Sequence, residues 1–179
     1  QYEGFPPPRL ETLAVGGETV YVGGWFRTVG GESRPFAAAL DRETGALSDW
    51  NPKPDLAVYA LAVKGDTVYV GGLFSLVGEW KHRAGLAAID LTTGALKPWN
   101  PNPDGSVVSS LAVGGGRVYV SGGFTSIGGR PQPRRFFAAL DTINGEVLDW
   151  DPGGNDVASD LLLEGDTLYA GGYFTQIGG

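Results

Sequence analysis

An all-β fold assembled from a tandem antiparallel unit is what this sequence predicts, and three observations carry the prediction. Glycine supplies 30 of the 179 residues, well above ordinary usage. A block of about fifty residues recurs along the chain. No stretch shows the 3.6-residue apolar period of a helix, whereas short alternating runs rich in Val, Thr and Tyr are frequent. The glycines do not fall every third residue, which excludes collagen. With 42% hydrophobic and 11% aromatic residues the chain can bury a core, which argues against plain disorder.

The repeat is explicit. Val20-Tyr21-Val22-Gly23-Gly24-Trp25-Phe26 returns at Val68–Phe74, Val118–Phe124 and Leu168–Phe174, at intervals of 48, 50 and 50 residues. Each copy keeps the tyrosine (Tyr21, Tyr69, Tyr119, Tyr169), the second glycine (Gly24, Gly72, Gly122, Gly172) and the phenylalanine (Phe26, Phe74, Phe124, Phe174). A second block, ending in Asp41, Asp90 and Asp141, is followed each time by a Gly and then by Trp50, Trp99 and Trp150.

Four short strands are expected per unit. In the second unit, Leu61-Ala62-Val63 and Thr67-Val68-Tyr69-Val70 flank Lys64-Gly65-Asp66, which reads as a first hairpin. A loop containing Gly78 leads to the strand Leu86–Ile89. Asp90 and Thr93-Gly94 then turn the chain into Ala95–Trp99, a second hairpin in which the carboxylate accepts backbone N–H groups. Asn100-Pro101 stops the strand and starts the crossing to the next unit. A four-stranded sheet of this length cannot bury both faces alone, whereas stacked sheets cover one another. Four strands per fifty residues therefore predict the blades of a β-propeller.

The blades are assigned to 11–58, 59–108 and 109–158, with 1–10 as the end of a preceding blade and 159–179 as the first half of a further one. The first hairpin occurs four times and the second only three, so the propeller is incomplete at about three and a half blades. Both ends offer the same half and cannot complement each other within one chain. The remaining blades are expected from a longer form of the same protein, or from a second chain, two sets adding to seven.

Thirteen basic residues against 20 acidic ones give a formal charge of −7, which disfavours nucleic acid and anionic lipid as partners. No apolar run approaches the roughly 20 residues needed to cross a bilayer as a helix, so no membrane insertion is expected. The absence of Cys removes disulfides, thiolate metal sites and a cysteine nucleophile. No nucleophile elbow, zinc-binding helix or phosphate loop is present. Metal is not expected, because no loop spacing collects the six to eight oxygens that Ca²⁺ takes.

The succession Val-Tyr-Val-Gly-Gly-x-Phe-x-x-Val-Gly-Gly, Arg, Ala-Ala-Leu-Asp and Trp-Asn-Pro resembles the delta-60 repeat family of bacterial β-propellers, and is similar to the fungal cortical-marker propellers. The resemblance covers almost all of residues 11–179. It implies a secreted or cell-surface protein, without catalytic activity in most members, and carries no catalytic or cofactor residues. Ala39-Leu40-Asp41-Arg42-Glu43-Thr44-Gly45 also resembles the first half of the quinoprotein docking motif, but Trp50 arrives one residue late, which sends its side chain to the other face of a strand. A sugar-directed or quinoprotein-like enzyme with catalytic residues partly outside the segment is the alternative to a binding or assembly platform.

The recurring Tyr, Trp, Phe and Asp are read as structural: the aromatics between blades, the first Asp set in turns. Asp55, Asp104 and Asp156 are expected to start loops or to pair with Arg34, Arg83 and Arg134. Binding is expected where the copies differ, because propeller loops carry recognition on a fixed scaffold. Trp80-Lys81-His82-Arg83 holds the only histidine, and Arg130, Arg134 and Arg135 lie in a basic, proline-stiffened loop. Both occupy the same place in their blades, so they are expected on one rim, facing a protein or glycan partner of acidic character.

Overall fold

The computed structural model describes residues 6–105, 107–129 and 134–178. All regular structure among them is antiparallel β-structure. The first unit holds β1 (Arg9–Gly16), β2 (Thr19–Trp25), β3 (Thr28–Val29), β4 (Glu32–Ser33) and β5 (Ala37–Asp41). The second repeats them as β6 (Val58–Lys64), β7 (Thr67–Gly72), β8 (Leu76–Val77), β9 (Lys81–His82) and β10 (Leu86–Asp90). The third contributes β11 (Val108–Gly114), β12 (Arg117–Gly122) and β13 (Phe137–Asp141), and the chain ends on the hairpin β14 (Ala158–Glu164) and β15 (Thr167–Gly172).

Each complete unit is a three-stranded sheet with the middle strand paired on both sides, in the orders β1-β2-β5, β6-β7-β10 and β11-β12-β13. The first hairpin closes through two residues led by a glycine, as Lys64 pairs with Thr67 around Gly65-Asp66. All four first strands carry the same bulge, between Leu10 and Thr12, Val58 and Ala60, Val108 and Ser110, and Ala158 and Asp160. The extra residue brings Val58 onto the same face as Leu61 and Val63, against the strict alternation of a strand. It also explains the second glycine of the repeat. A Cβ at Gly24, Gly72 or Gly122 would lie 2.3, 2.2 or 2.1 Å from the carbonyl oxygen of Arg9, Ala57 or Val107.

The expected fourth strand is reduced to a single bridge, Leu40 with Leu47, Ile89 with Leu96 and Leu140 with Val147. The chain leaves the sheet there because the following Trp turns into the gap between units. Conversely, the segment expected as a loop after the first hairpin forms a short two-stranded ladder, β3 with β4 and β8 with β9.

Successive units stack through their first strands, β1 on β6, β6 on β11 and β11 on β14. The cores straddle these junctions. At the first junction Tyr21 meets Trp50 edge-on at 5.1 Å. The Tyr21 hydroxyl donates to the Leu91 carbonyl at 2.8 Å, and the Trp50 indole N–H donates to the Asp90 carbonyl at 3.0 Å. Tyr69 and Trp99 repeat the clamp on Thr142 and Asp141 at 3.1 and 2.8 Å. The first and second units thus each grip the second turn of the next one. Tyr119 and Trp150 keep the edge-on contact at 5.1 Å.

Backbone approach matches side-chain size at the junctions. Gly23 and Gly71 face Val58 and Val108 of the following unit, whose methyls would lie 2.5 and 2.8 Å from an added Cβ. At the third junction a serine replaces the glycine, and its partner is the smaller Ala158. The Ser121 hydroxyl donates to the Phe136 carbonyl and accepts the Ala158 N–H, both at 2.8 Å.

Candidate functional site

The site begins with the connection between the first two units. Pro52 and Pro54 are buried, and the linker is tied to the second unit by the Gly78 N–H on the Pro52 carbonyl at 2.8 Å and the Asp55 N–H on the Leu76 carbonyl at 3.0 Å. The Asp55 carboxylate accepts from the Ser75 and Leu76 N–H groups at 2.8 and 3.0 Å. These bonds place Lys53 beside the β8–β9 turn. The result is a groove of about 530 Å³ lined by Arg27, Ser33 and Pro35 of the first unit, Lys53, Pro54 and Asp55 of the linker, and Leu76, Gly78, Glu79 and Trp80 of the second.

Two lining residues hold unusual backbone. Trp80 has φ 62° and Lys53 φ 51°, the left-handed region in which a side chain costs about 1 kcal/mol or more. The linker positions equivalent to Lys53 are Asn102 and Gly153, residue types that adopt this conformation readily. Trp80 is 79% exposed, so no burial offsets its conformation. Across the groove, the Arg27 guanidinium carbon lies 4.8 Å from the centroid of Phe36, which orients the cation. A second cavity, of about 550 Å³, continues beyond Arg27 along Pro6–Pro8, Trp25, Phe26, Thr28 and Phe36. An exposed indole flanked by two cations can stack on a ring and pair with an anionic substituent. The groove's two carboxylates, Asp55 and Glu79, share the lining with the Ser33 hydroxyl and the Lys53 ammonium.

The other expected site residues divide. Lys81 and His82 are exposed on β9, next to Trp80 but outside the groove lining. Arg83 turns inward instead, donating to the His82 and Lys97 carbonyls at 2.8 and 3.1 Å, and burial lowers its pKa. Arg134 is 3.6 Å from Asp151, so it too is engaged within the chain, while Arg135 is exposed and Arg130 lies outside the described residues. The groove therefore joins Trp80 to the first unit, not to the arginine loop of the third. Arg27 and Lys53 escaped the sequence reading; the only signal was a lysine at a position that is Asn or Gly in the other linkers.

The repeated carboxylates have local roles. Asp41 accepts from the Thr44 hydroxyl at 2.6 Å and from the Thr44 and Glu43 N–H groups, and its pKa is lowered, most by that hydroxyl. Asp90 does the same with Thr93 and Thr92, its lowering led by the Thr93 N–H. Asp141 takes the N–H groups of Ile143 and Asn144. Asp104 receives Thr125 and Ser126 as Asp55 receives Ser75 and Leu76, but in the next linker that part is played by Asn155, which takes Thr175 and Gln176 at 2.9 and 3.1 Å. Asp156 instead accepts from its neighbour Val157. Arg34, like Arg83, donates to a backbone carbonyl of its own unit, that of Ser48, in place of the expected aspartate.

No family model and no curated protein matches the sequence. In structure the chain is similar to two computationally designed proteins. It is 17% identical to Ika4 with a TM-score of 0.63, the match covering 96% of this chain and 89% of that one. It is likewise 17% identical to Ika8 with a TM-score of 0.60, covering 90% of this chain and 42% of that one. At that identity the likeness speaks to fold alone. Among the described residues no helix is long and apolar enough to cross a membrane.

Proposed function

We propose that the chain is a partial β-propeller of a secreted or cell-surface protein, related to the delta-60 repeat family, and that it acts without catalysis as a binding platform. Its site is the groove between the first two units, and its ligand is a glycan carrying carboxylate or sulfate groups. The observation that carries this reading is Trp80, an exposed aromatic held in a conformation that costs stability and returns none inside the chain. The indole stacks on a sugar face while Arg27 and Lys53 meet the anionic groups. A cavity of about 530 Å³ suits a few sugar rings.

Titration calorimetry with a uronic-acid or sulfated oligosaccharide tests it. Binding is expected to weaken roughly tenfold or more in Trp80→Ala, in line with loss of an aromatic hot spot, and to fall with salt. Equal affinity for the neutral oligosaccharide, or an unchanged affinity in Trp80→Ala, overturns the glycan reading. Capture of an acidic peptide by the same groove, lost in Trp80→Ala, would replace the ligand and keep the site.

A further inference from the structure

The junction between the second and third units holds a groove of its own. It encloses about 380 Å³ between Asn100, Pro101 and Asn102 of the linker, the Gly128-Gly129 turn, and the second turn of the third unit at Asn144–Val147. The linker is strapped as at the first groove, with the Gly128 N–H on the Pro101 carbonyl at 2.7 Å and the Asp104 N–H on the Ser126 carbonyl at 3.1 Å. Both grooves therefore open along the same rim. Around this one the two turns close more tightly: a Cβ at Gly128 would lie 2.5 Å from a Val147 methyl, whereas one at its counterpart Gly78 would meet nothing within 4 Å.

Departures from the repeat converge here. Thr44 and Thr93 hold their turns with two bonds each. The hydroxyl donates to Asp41 or Asp90 at 2.6 or 2.8 Å, and accepts the N–H of Ala46 or Ala95 at 3.2 or 3.3 Å. The Asn144 side chain, at the same position, accepts the Glu146 N–H at 3.0 Å and gives nothing to Asp141. Its amide NH₂ has no partner among the described residues, and neither have the side chains of Asn100, Asn102 and Glu146. Glu146 stands where the earlier turns hold Ala46 and Ala95, Asn102 where the first linker holds Lys53, and Gly129 where the second unit holds Glu79. The turn thus loses an internal hydrogen bond, and three amides and a carboxylate are set around one opening.

We propose that this groove is a second subsite, taking a neutral sugar residue of the glycan whose acidic residue lies in the first groove. The ligand is then a mixed polymer, not a uniformly acidic one. The inference rests on the glycan reading of the first groove. Amide N–H groups donate to, and the Glu146 carboxylate accepts from, the hydroxyl and acetamido groups that a neutral sugar carries. No cation is among the described residues of this lining, in contrast to Arg27 and Lys53 in the first.

Titration calorimetry with oligomers of alternating glucuronate and N-acetylglucosamine, from the disaccharide to the octasaccharide, tests it. The wild type is expected to bind the octasaccharide roughly tenfold or more tightly than the disaccharide, because the second contact is tethered to the first. Asn144→Thr combined with Glu146→Ala gives the third unit the turn residues of the second, with circular dichroism reporting an intact fold. That variant abolishes the gain with length and leaves the disaccharide affinity unchanged. Loss of Glu146 removes a negative charge, so a field effect alone would tighten an acidic glycan; weakening reads lost contacts. A gain that survives in the variant, or a disaccharide affinity that falls with it, overturns the second subsite and leaves the first groove standing. An equal, variant-sensitive gain in an oligogalacturonate series overturns the neutral residue. Absence of binding by any oligomer, or a disaccharide affinity unchanged in Trp80→Ala, overturns the glycan reading and the subsite with it.

Discussion

Residues that depart from their repeat explain themselves by what surrounds them. Trp80 takes a backbone conformation that Gly31 or Gly129 takes elsewhere in the chain. Trp80→Gly is therefore expected to stabilise the fold by about 0.5–1 kcal/mol, read as a higher urea midpoint, while abolishing ligand binding; a loss of stability would mean that the indole packs usefully. The turn aspartates have the opposite character. Asp41 and Asp90 have lowered pKa values in the folded chain, so each contributes stability that is present above the ordinary aspartate value and lost as pH falls through the lowered one. The melting temperature should drop across that acid window, and Asp41→Asn with Asp90→Asn should flatten the drop; an unaltered profile would refute the role.

Elements are shaped by one bulge and two glycines. At the second glycine an added Cβ strikes backbone, the Ala57 carbonyl oxygen 2.2 Å from Gly72, whereas at the first it strikes a side chain, the Val108 methyl 2.8 Å from Gly71. Backbone held in a paired strand moves less readily than a methyl. Gly72→Ala should therefore destabilise more than Gly71→Ala, with roughly 1–3 kcal/mol for the former, measured by chemical denaturation. Equal effects would show that the bulge yields. The hairpins themselves were legible, because the alternation, the turn glycines and the β-branched runs are local. The fourth strand was not, because its early exit depends on where Trp50, Trp99 and Trp150 find partners in the next unit.

Across the whole molecule, stability is a sum of junctions between neighbours. Trp99 is buried and donates to Asp141, so Trp99→Ala should cost about 3–5 kcal/mol. Trp150 is only partly buried, so Trp150→Ala should cost clearly less. Matching losses at both would contradict the clamp as the source of the coupling.

Local chemistry was enough to read the repeat, the first hairpin of each unit and the turns at Asp41, Asp90 and Asp141. Trp80 stood out for the same reason, as a residue that breaks a pattern visible along the chain. The stacking of units was beyond that reach. Arg27 and Trp80 are separated by a whole unit in sequence and share a groove only because the linker is strapped under β8 and β9. Arg83 and Arg134, alike in charge to any surface arginine, are drawn inward by carbonyl and carboxylate oxygens that tertiary packing supplies. Side-chain periodicity reports which face of a strand is apolar; which neighbour covers it depends on contacts between residues about fifty positions apart.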